Sequence, residues 1–566
     1  MRLRYFPILG AALLFAASLL AQETKKLDSP ILQAMKGQLA HSFEGLKSQP
    51  IPPYFLSYGI TESHSARVSG SFGTLYSSSE FASRLLDLNL RVGDYELDNT
   101  HEIRGEFPFG DFFGRFSFVE IPIENDKDVI RHILWYQTDQ RYKRALETFM
   151  KVKTNVQVKV APEDASADFS KEPPQKFTEA PADLHVDRGM WEEKIRKYTA
   201  PFANYGDIYE AEAEFSADAE TRWYVNSDGA ELQTSTVFYR LFIYAKTKAE
   251  DGMELPRYES YLALKPEDLP DDATVMKAVA KMIDDLQALR KAPLLDPYTG
   301  PAILSGRASG VFFHEVFGHR IEGHRQKSED EAQTFKKMVN QKVLPDNFSV
   351  ISDPTLHRLA GTDLAGFYLY DDEGVKAQRV QVVDDGVLKN FLMSRSPIAG
   401  FLHSNGHGRN QMGMPVVARQ SNLIVSASKT VSHDELKKML IEEIKKQNKP
   451  FGLYFEDIQG GFTLTQRTIP NAFTVLPVMV YRVYPDGHEE LVRGGDLIGT
   501  PLTVFSKLLA ADNQTAVFNG ICGAESGSVP VSATSPAILI SQIEVQKKQK
   551  SQERLPILSR PTGENP

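Results

Sequence analysis

The stretch "VFFHEVFGHRIEGHR", residues 311–325, places the hardest geometric constraint on how this chain folds. His314 and Glu315 open it like the metal-binding helix motif H-E-x-x-H, but the next histidine is His319, one position late. Histidines at i and i+4 sit about 40° apart around a helix, so both reach one ion. At i and i+5 the angle grows to roughly 140° and the rings point apart. A shared metal therefore requires distortion. Either a π-bulge widens the turn, or the helix kinks or ends near Gly318, whose missing Cβ lowers the cost.

A hydrolytic zinc site needs three protein ligands and an open position for water. His314 and His319 are two candidates. The third is either His324, five residues beyond His319, or Cys522, about 200 residues away. Both sets are chemically acceptable, because thiolate and imidazole are both good zinc ligands. Glu315 would project beside the open position as general base. The competing reading is a helix with surface histidines and an ion-paired glutamate.

Cys522 is the single cysteine of 566 residues, so no internal disulfide exists. Taken alone it reads as a small buried apolar residue. The length calls for more than one core, and the composition is that of an ordinary globular protein. Arg2 and Arg4 precede the apolar run "FPILGAALLFAASLL", which ends at Ala21; residues 1–21 read as a secretory signal peptide. Removing those two arginines takes the net charge from −10 to −12. With no basic stripe, nucleic acid is not an expected partner. No later stretch is long and apolar enough to span a bilayer, so no membrane association is expected after cleavage.

Periodicity predicts an α+β chain of two domains. Residues 22–291 read as an N-terminal mixed sheet with helices. Apolar spacing places helices at 29–48, 126–152 and about 271–292, the last with Val275, Val279, Ile283 and Leu286 on one face. Alternating runs lie between them, with "NSDG" as a hairpin-type turn. Residues 161–187, rich in Pro, Ala, Asp and Glu, read as a linker-like loop with little to bury. The prolines and glycine of "APLLDPYTGP" mark a boundary. Residues 292–545 then read as a strand-rich, barrel-like metal-binding domain with one clear helix at 432–447, opened by a Ser-x-x-Glu capping box. Residues 546–566 read as a flexible tail. Gly460 and Gly461 suit turns or close backbone approach better than a phosphate loop.

Four segments, in order, carry a resemblance: "HEVFGHRIEGH", "GHGRNQ" (406–411), "FGLYFEDIQGG" (451–461) and "CGAESGSVPVSATSPAILI" (522–540). With them the chain resembles the TldD/PmbA metalloprotease family, specifically its zinc-bearing TldD-type branch. "RVGDYELDN" and "VNSDGAELQT" extend the resemblance more loosely into the first half. It implies a zinc ion held by His314, His319 and Cys522, with Glu315 as catalytic base. It also implies hydrolysis of unstructured peptides held as an extended strand within a two-subunit assembly, a homodimer or a heterodimer with a relative. Glu322 becomes a candidate to orient a ligand imidazole, against the alternative of an ion pair with Arg320 or Arg325. His407 and Arg409 become candidates for binding substrate carbonyls or an oxyanion, against a role in loop structure. The leader departs from the cytoplasmic setting the resemblance implies and points to a periplasmic or extracellular enzyme. Two rivals stand beside the peptidase: a catalytically silent assembly partner or peptide-binding module, and a thiol enzyme built on Cys522 with His407 as base.

Overall fold

Strand Ile208–Asn226 reads IYEAEAEFSADAETRWYVN, and its period of two decides the first half of the molecule. Ala211, Ala213, Phe215, Ala217 and Ala219 are buried on one face while glutamates alternate with them on the other. The small alanine rows let helices Arg188–Thr199 and Asp272–Lys291 lie close against the sheet, and Trp191 stacks on Phe215 at 3.7 Å between ring centroids. Helices Pro30–Leu46 and Lys127–Val158 cover the other end of the same face, around Leu56, Tyr58 and Ile60. The Ser29, Asp187 and Asp271 side chains each accept a hydrogen bond at a helix N-terminus, relieving donors that have no partner within the helix.

The computed structural model describes residues 29–103, 118–158, 163–467, 472–548 and 555–558. The leader at 1–21 lies outside them, as does most of the tail. The first sheet has seven strands. Val119–Glu120, Thr74–Val92, Pro53–Ser71, Ile208–Asn226 and Glu231–Lys248 follow in that order, and both Lys176–Thr178 and Glu254–Ala263 pair with the last. The NSDG turn forms its hairpin, with Gly229 at φ +101°. The sheet's uncovered face, including Arg240 and Phe242, borders a cavity.

The second sheet has eleven strands, and five of them close on themselves. Gly527–Lys547 pairs with Gly495–Gly499 on one side and Tyr298–Leu304 on the other, and Phe473–Val483 and Gly452–Thr463 complete the ring. The result is a mixed α/β fold with a strand-rich, barrel-like region. Helix His433–Lys446 is capped by Ser432, whose Oγ accepts from the Glu435 N–H at 3.2 Å. No helix among the described residues is long and apolar enough to cross a membrane.

The segment read as a linker-like loop is irregular over most of its described length, and within it Asp164 and residues 168–170 are packed. Phe169 is buried between the guanidinium groups of Arg91 and Arg395, 3.7 and 4.0 Å from its ring centroid. The Ser170 carbonyl accepts from Arg395 Nε at 2.9 Å, and Lys327 Nζ donates to the carbonyls of Ser166 and Ala167 at 2.9 and 2.8 Å. Composition does not show this, because the strap is held by one aromatic ring, its own backbone and the side chains of Asp164, Asp168 and Glu172, not by an apolar stripe.

Helix Gly306–Val316 is sunk against the barrel, with every residue from Ala308 to Val316 buried. Gly310 makes this approach possible: a Cβ there would lie 2.8 Å from the Ala533 carbonyl oxygen. Gly310→Ala should therefore lower stability by about 1–3 kcal/mol through overpacking, despite the gain in helix propensity. Gly37→Ala, in a helix with nothing within 4 Å of the new Cβ, should instead stabilise by roughly 0.5–1 kcal/mol. Denaturation midpoints of the two variants should move in opposite directions; a gain in both would remove the close-approach explanation.

Candidate metal centre

The spacing problem at His314 and His319 is solved by ending the helix. Regular α-helix stops at Val316, Phe317 caps it with its N–H on the Phe313 carbonyl, and Gly318–Ile321 continues as a 3₁₀ turn. Arg320 reaches back, its Nη1 donating to the carbonyls of Glu315 at 2.8 Å and Val316 at 3.2 Å, which helix termination would otherwise leave bare. No π-bulge forms. Gly318 acts through space rather than through backbone freedom, since a Cβ there would meet Gln420 Oε1 at 1.9 Å. Gln420 in turn donates from Nε2 to the His314 carbonyl at 3.3 Å.

The two imidazoles end with their ring centroids 4.9 Å apart. Strand Leu508–Ala524 brings Cys522 to them, its Sγ 3.4 Å from His319 Nε2. One donor atom from each of His314, His319 and Cys522 lies within 4.8 Å of the others, and all three residues are buried. His314 Nδ1 is a buried nitrogen with no hydrogen-bond partner. An imidazole with an unpartnered buried nitrogen, clustered with a thiol and a second imidazole, fits a metal that takes nitrogen and sulfur ligands. Burial alone would push the Cys522 thiol up, but the His319 and His314 imidazoles outweigh it and hold the thiol well below its ordinary value.

Glu315 stands in the same wall, its Oε2 3.9 Å from His319 Nε2. Gly461, on strand Gly452–Thr463, lets that strand pass Glu315: a Cβ would sit 2.7 Å from Glu315 Cγ. Burial raises the Glu315 carboxyl above its ordinary value, opposed in part by His314 and His319.

Glu322 is fully buried and takes both relationships proposed for it. Its Oε2 is 3.3 Å from His319 Nδ1, which leaves Nε2 facing Cys522, and 2.8 Å from Arg325 Nε. Arg320 is not its partner. Burial would raise Glu322, but His319, Arg325 and Arg419 outweigh it and hold it down at about 2.

Arg419 was not singled out by the sequence. It has no exposed surface, donates to the Cys522 carbonyl at 2.7 Å, to Ser526 Oγ at 2.7 Å and to the Gly527 carbonyl at 2.9 Å, and lies 3.6 Å from Glu322 Oε1. It fixes the cysteine hairpin against the histidine segment. Nothing in "VVARQSN" marks it, because its partners lie about 100 residues to either side.

His324 is drawn away from the cluster to Glu525. His407 and Arg409 belong to the loop scaffold and do not border the cavity. His407 is fully buried, with Nε2 3.0 Å from Ser352 Oγ and Nδ1 3.0 Å from Asn405 Oδ1. Arg409 Nη1 donates to the carbonyls of Gln420 and Pro530, both at 2.8 Å. His407 is thus not beside Cys522, whose imidazole neighbours are His319 and His314.

The cluster opens on a cavity of ≈1580 Å³ lined by both halves of the chain. Residues 297–547 match the family model of the PmbA/TldA metallopeptidase C-terminal domain. Over 238 residues the chain is 31% identical to a metalloprotease of Archaeoglobus fulgidus, covering 42% of this chain and 51% of that protein. Over 253 residues it is 23% identical to the zinc metalloprotease TldD homolog of Saccharolobus solfataricus, covering 43% and 51%. The matched stretch thus spans about half the length of these curated relatives. In fold, the chain is similar to TldE from Thermococcus kodakarensis, with a TM-score of 0.58 at 12% identity over 91% of this chain and 100% of that one.

Burial pushes the His407 imidazole from 6.5 down to about 3. The folded chain keeps it neutral where the unfolded chain protonates it. Its contribution to stability is therefore present above pH 6.5 and is lost as pH falls from 6.5 toward 3. His407→Gln should flatten this part of the acid limb, read as denaturation midpoints across pH 4 to 7, roughly the window of an unperturbed imidazole. An unchanged slope would show that other groups set it.

Proposed function

We propose that the chain is a zinc metallopeptidase that hydrolyses unstructured peptides bound as an extended strand. The observation that carries this reading is the convergence of His314, His319 and Cys522 within 4.8 Å at the wall of the large cavity, with Glu315 beside them. His319 through Nε2, His314 through a ring nitrogen and Cys522 through Sγ would hold the zinc. Bound there, zinc would supply Lewis acidity to the substrate carbonyl and to water. Glu315 takes the proton of the attacking water on its carboxylate and returns it to the leaving amine. Its raised pKa brings it nearer the operating pH, where accepting and then donating a proton are both efficient. Glu322 holds His319 in the tautomer that keeps Nε2 free for the metal.

Strand Leu508–Ala524 supports the extended mode. Among the described residues it pairs with Gly527–Lys547 and, on its other side, makes a single bridge from Asp512 to Val431, which leaves that side of residues 517–524 without a strand partner as they run along the cavity to Cys522. A peptide added to that edge would gain main-chain hydrogen bonds with little dependence on side-chain identity. Export through the leader and a two-subunit assembly belong to the same proposal, supported by the leader's residue pattern and by the resemblance.

Zinc content per purified chain tests the centre. About one zinc is expected in wild type and in His324→Ala, with loss in His319→Ala and Cys522→Ala. Absence of metal from carefully prepared wild type would favour the silent-partner reading. Glu315→Gln should retain zinc yet lose peptidase turnover by about 10²–10⁴-fold. Turnover that survives this change would remove Glu315 as the base.

A further inference from the structure

Seven residues before His314, Arg307 lies on the same helix face: Arg307, Val311, His314 and Glu315 all border the cavity. Its guanidinium is held between the rings of Tyr258 and Phe518, at 5.8 and 5.6 Å, donates from Nη2 to Tyr258 Oη at 3.0 Å, and lies 3.3 Å from Asp457 Oδ1. Asp457 is shared with Arg257, whose Nη1 is 3.1 Å away. From the first sheet, Arg240 reaches the same cavity. Its neighbours Tyr239 and Leu241 point into the helix-covered core, which turns Arg240 and Phe242 the other way. Arg240 stacks on Phe242 at 5.3 Å, and its one hydrogen bond is from Nη2 to Ser260 Oγ at 3.3 Å. Among the described residues no carboxylate lies within 4.0 Å of it. Burial lowers its pKa, opposed in part by Glu214 and Tyr258. A partly buried guanidinium with no carboxylate in contact, facing a cavity and compensated only in part by Glu214, is a costly arrangement that an arriving anion would relieve.

We propose that Arg240 and Arg307 form a subsite that takes a carboxylate of the bound peptide, about three residues from the bond cleaved. The spacing follows from the helix. Seven residues rise roughly 10 Å, and an extended peptide covers that distance in about three residues. The carboxylate is either the peptide's C-terminus or an aspartate or glutamate side chain. The inference rests on the peptidase reading for its substrate, and it adds selectivity to a strand-edge binding mode that otherwise has little.

The test is binding of N-terminally fluorescein-labelled peptides, followed by anisotropy in the zinc-loaded Glu315→Gln chain so that turnover does not intervene. Three peptides of one otherwise acid-free sequence serve: the free acid, the C-terminal amide, and the amide with one internal glutamate. The free acid should bind about tenfold tighter than the plain amide, as a charge-assisted hydrogen bond gives. Adding Arg240→Gln should abolish that difference and Arg240→Lys should keep part of it. Arg240 is the first variant because it holds no ion pair that folding depends on; Arg307→Gln follows. Tight binding of the glutamate-bearing amide would identify a side-chain carboxylate as ligand, and tight binding of the free acid alone would identify the terminus. Equal binding of all three peptides, no binding of any, or a preference that survives both arginine changes would overturn the subsite. A preference that Arg240→Gln removes, together with no cleavage by the wild-type enzyme, would keep the subsite and sink the peptidase reading instead.

Discussion

Glu322 carries its charge with none of its surface exposed to water, and the rest of the centre is arranged to keep it so. A lone buried carboxylate would cost many kcal/mol and would protonate instead. Here three groups converge on it: His319 Nδ1, Arg325 Nε and, at a longer electrostatic distance, Arg419 Nε. Each carries the contact onward. His319 turns its other nitrogen to Cys522. Arg325 donates to Glu331 and Glu525, both at the cavity wall. Arg419 holds the carbonyl of Cys522 and the turn beyond it. Three segments separated by about 100 residues each are thereby fixed around one anion, and removing its charge would leave the buried Arg419 short of a counter-charge, while Arg325 would keep Glu331 and Glu525.

The cavity depends equally on the contact between the halves. Tyr258 of the first sheet donates to the Ile458 carbonyl at 2.6 Å, and Arg257 meets Asp457 at 3.1 Å. The strap at 163–172 closes a second side through Arg395 and Lys327. One face of the first sheet is covered by helices, so the other is free to border the cavity onto which the histidine–cysteine cluster opens. The cavity is thus made by two cores that meet, while the cluster itself comes from the barrel half alone.

Much of this was legible locally. Helices at 30–46, 272–291 and 433–446 announced themselves by apolar spacing and capping side chains, because those signals lie within a few residues of the structure they specify. The His314 and His319 spacing demanded a distortion, either a π-bulge or a helix kinked or ended near Gly318, and the second is what forms. The reason was only half visible: the glycine admits Gln420, a partner about 100 residues away. The same distance hid Arg419, and the packing of Phe169 in the 163–187 loop between two arginines likewise leaves no periodic trace. "GHGRNQ" served as a marker of resemblance, yet His407 and Arg409 spend their polar atoms on neighbouring loops.

Glu315 and Glu322 sit seven residues apart on either side of the helix break, and both are buried. Their surroundings nevertheless drive them in opposite directions. Glu315 has histidines near it, but the Nη1 of the nearby Arg320 is directed to the carbonyls that end the helix. Burial therefore dominates and raises its carboxyl. Glu322 has the guanidinium of Arg325 within hydrogen-bond distance and that of Arg419 behind it, and stays ionised down to about pH 2. Two chemically equivalent acids are thus sorted into one whose proton is exchangeable and one whose charge is permanent. That division suits a centre in which one carboxylate moves a proton and the other holds an imidazole still.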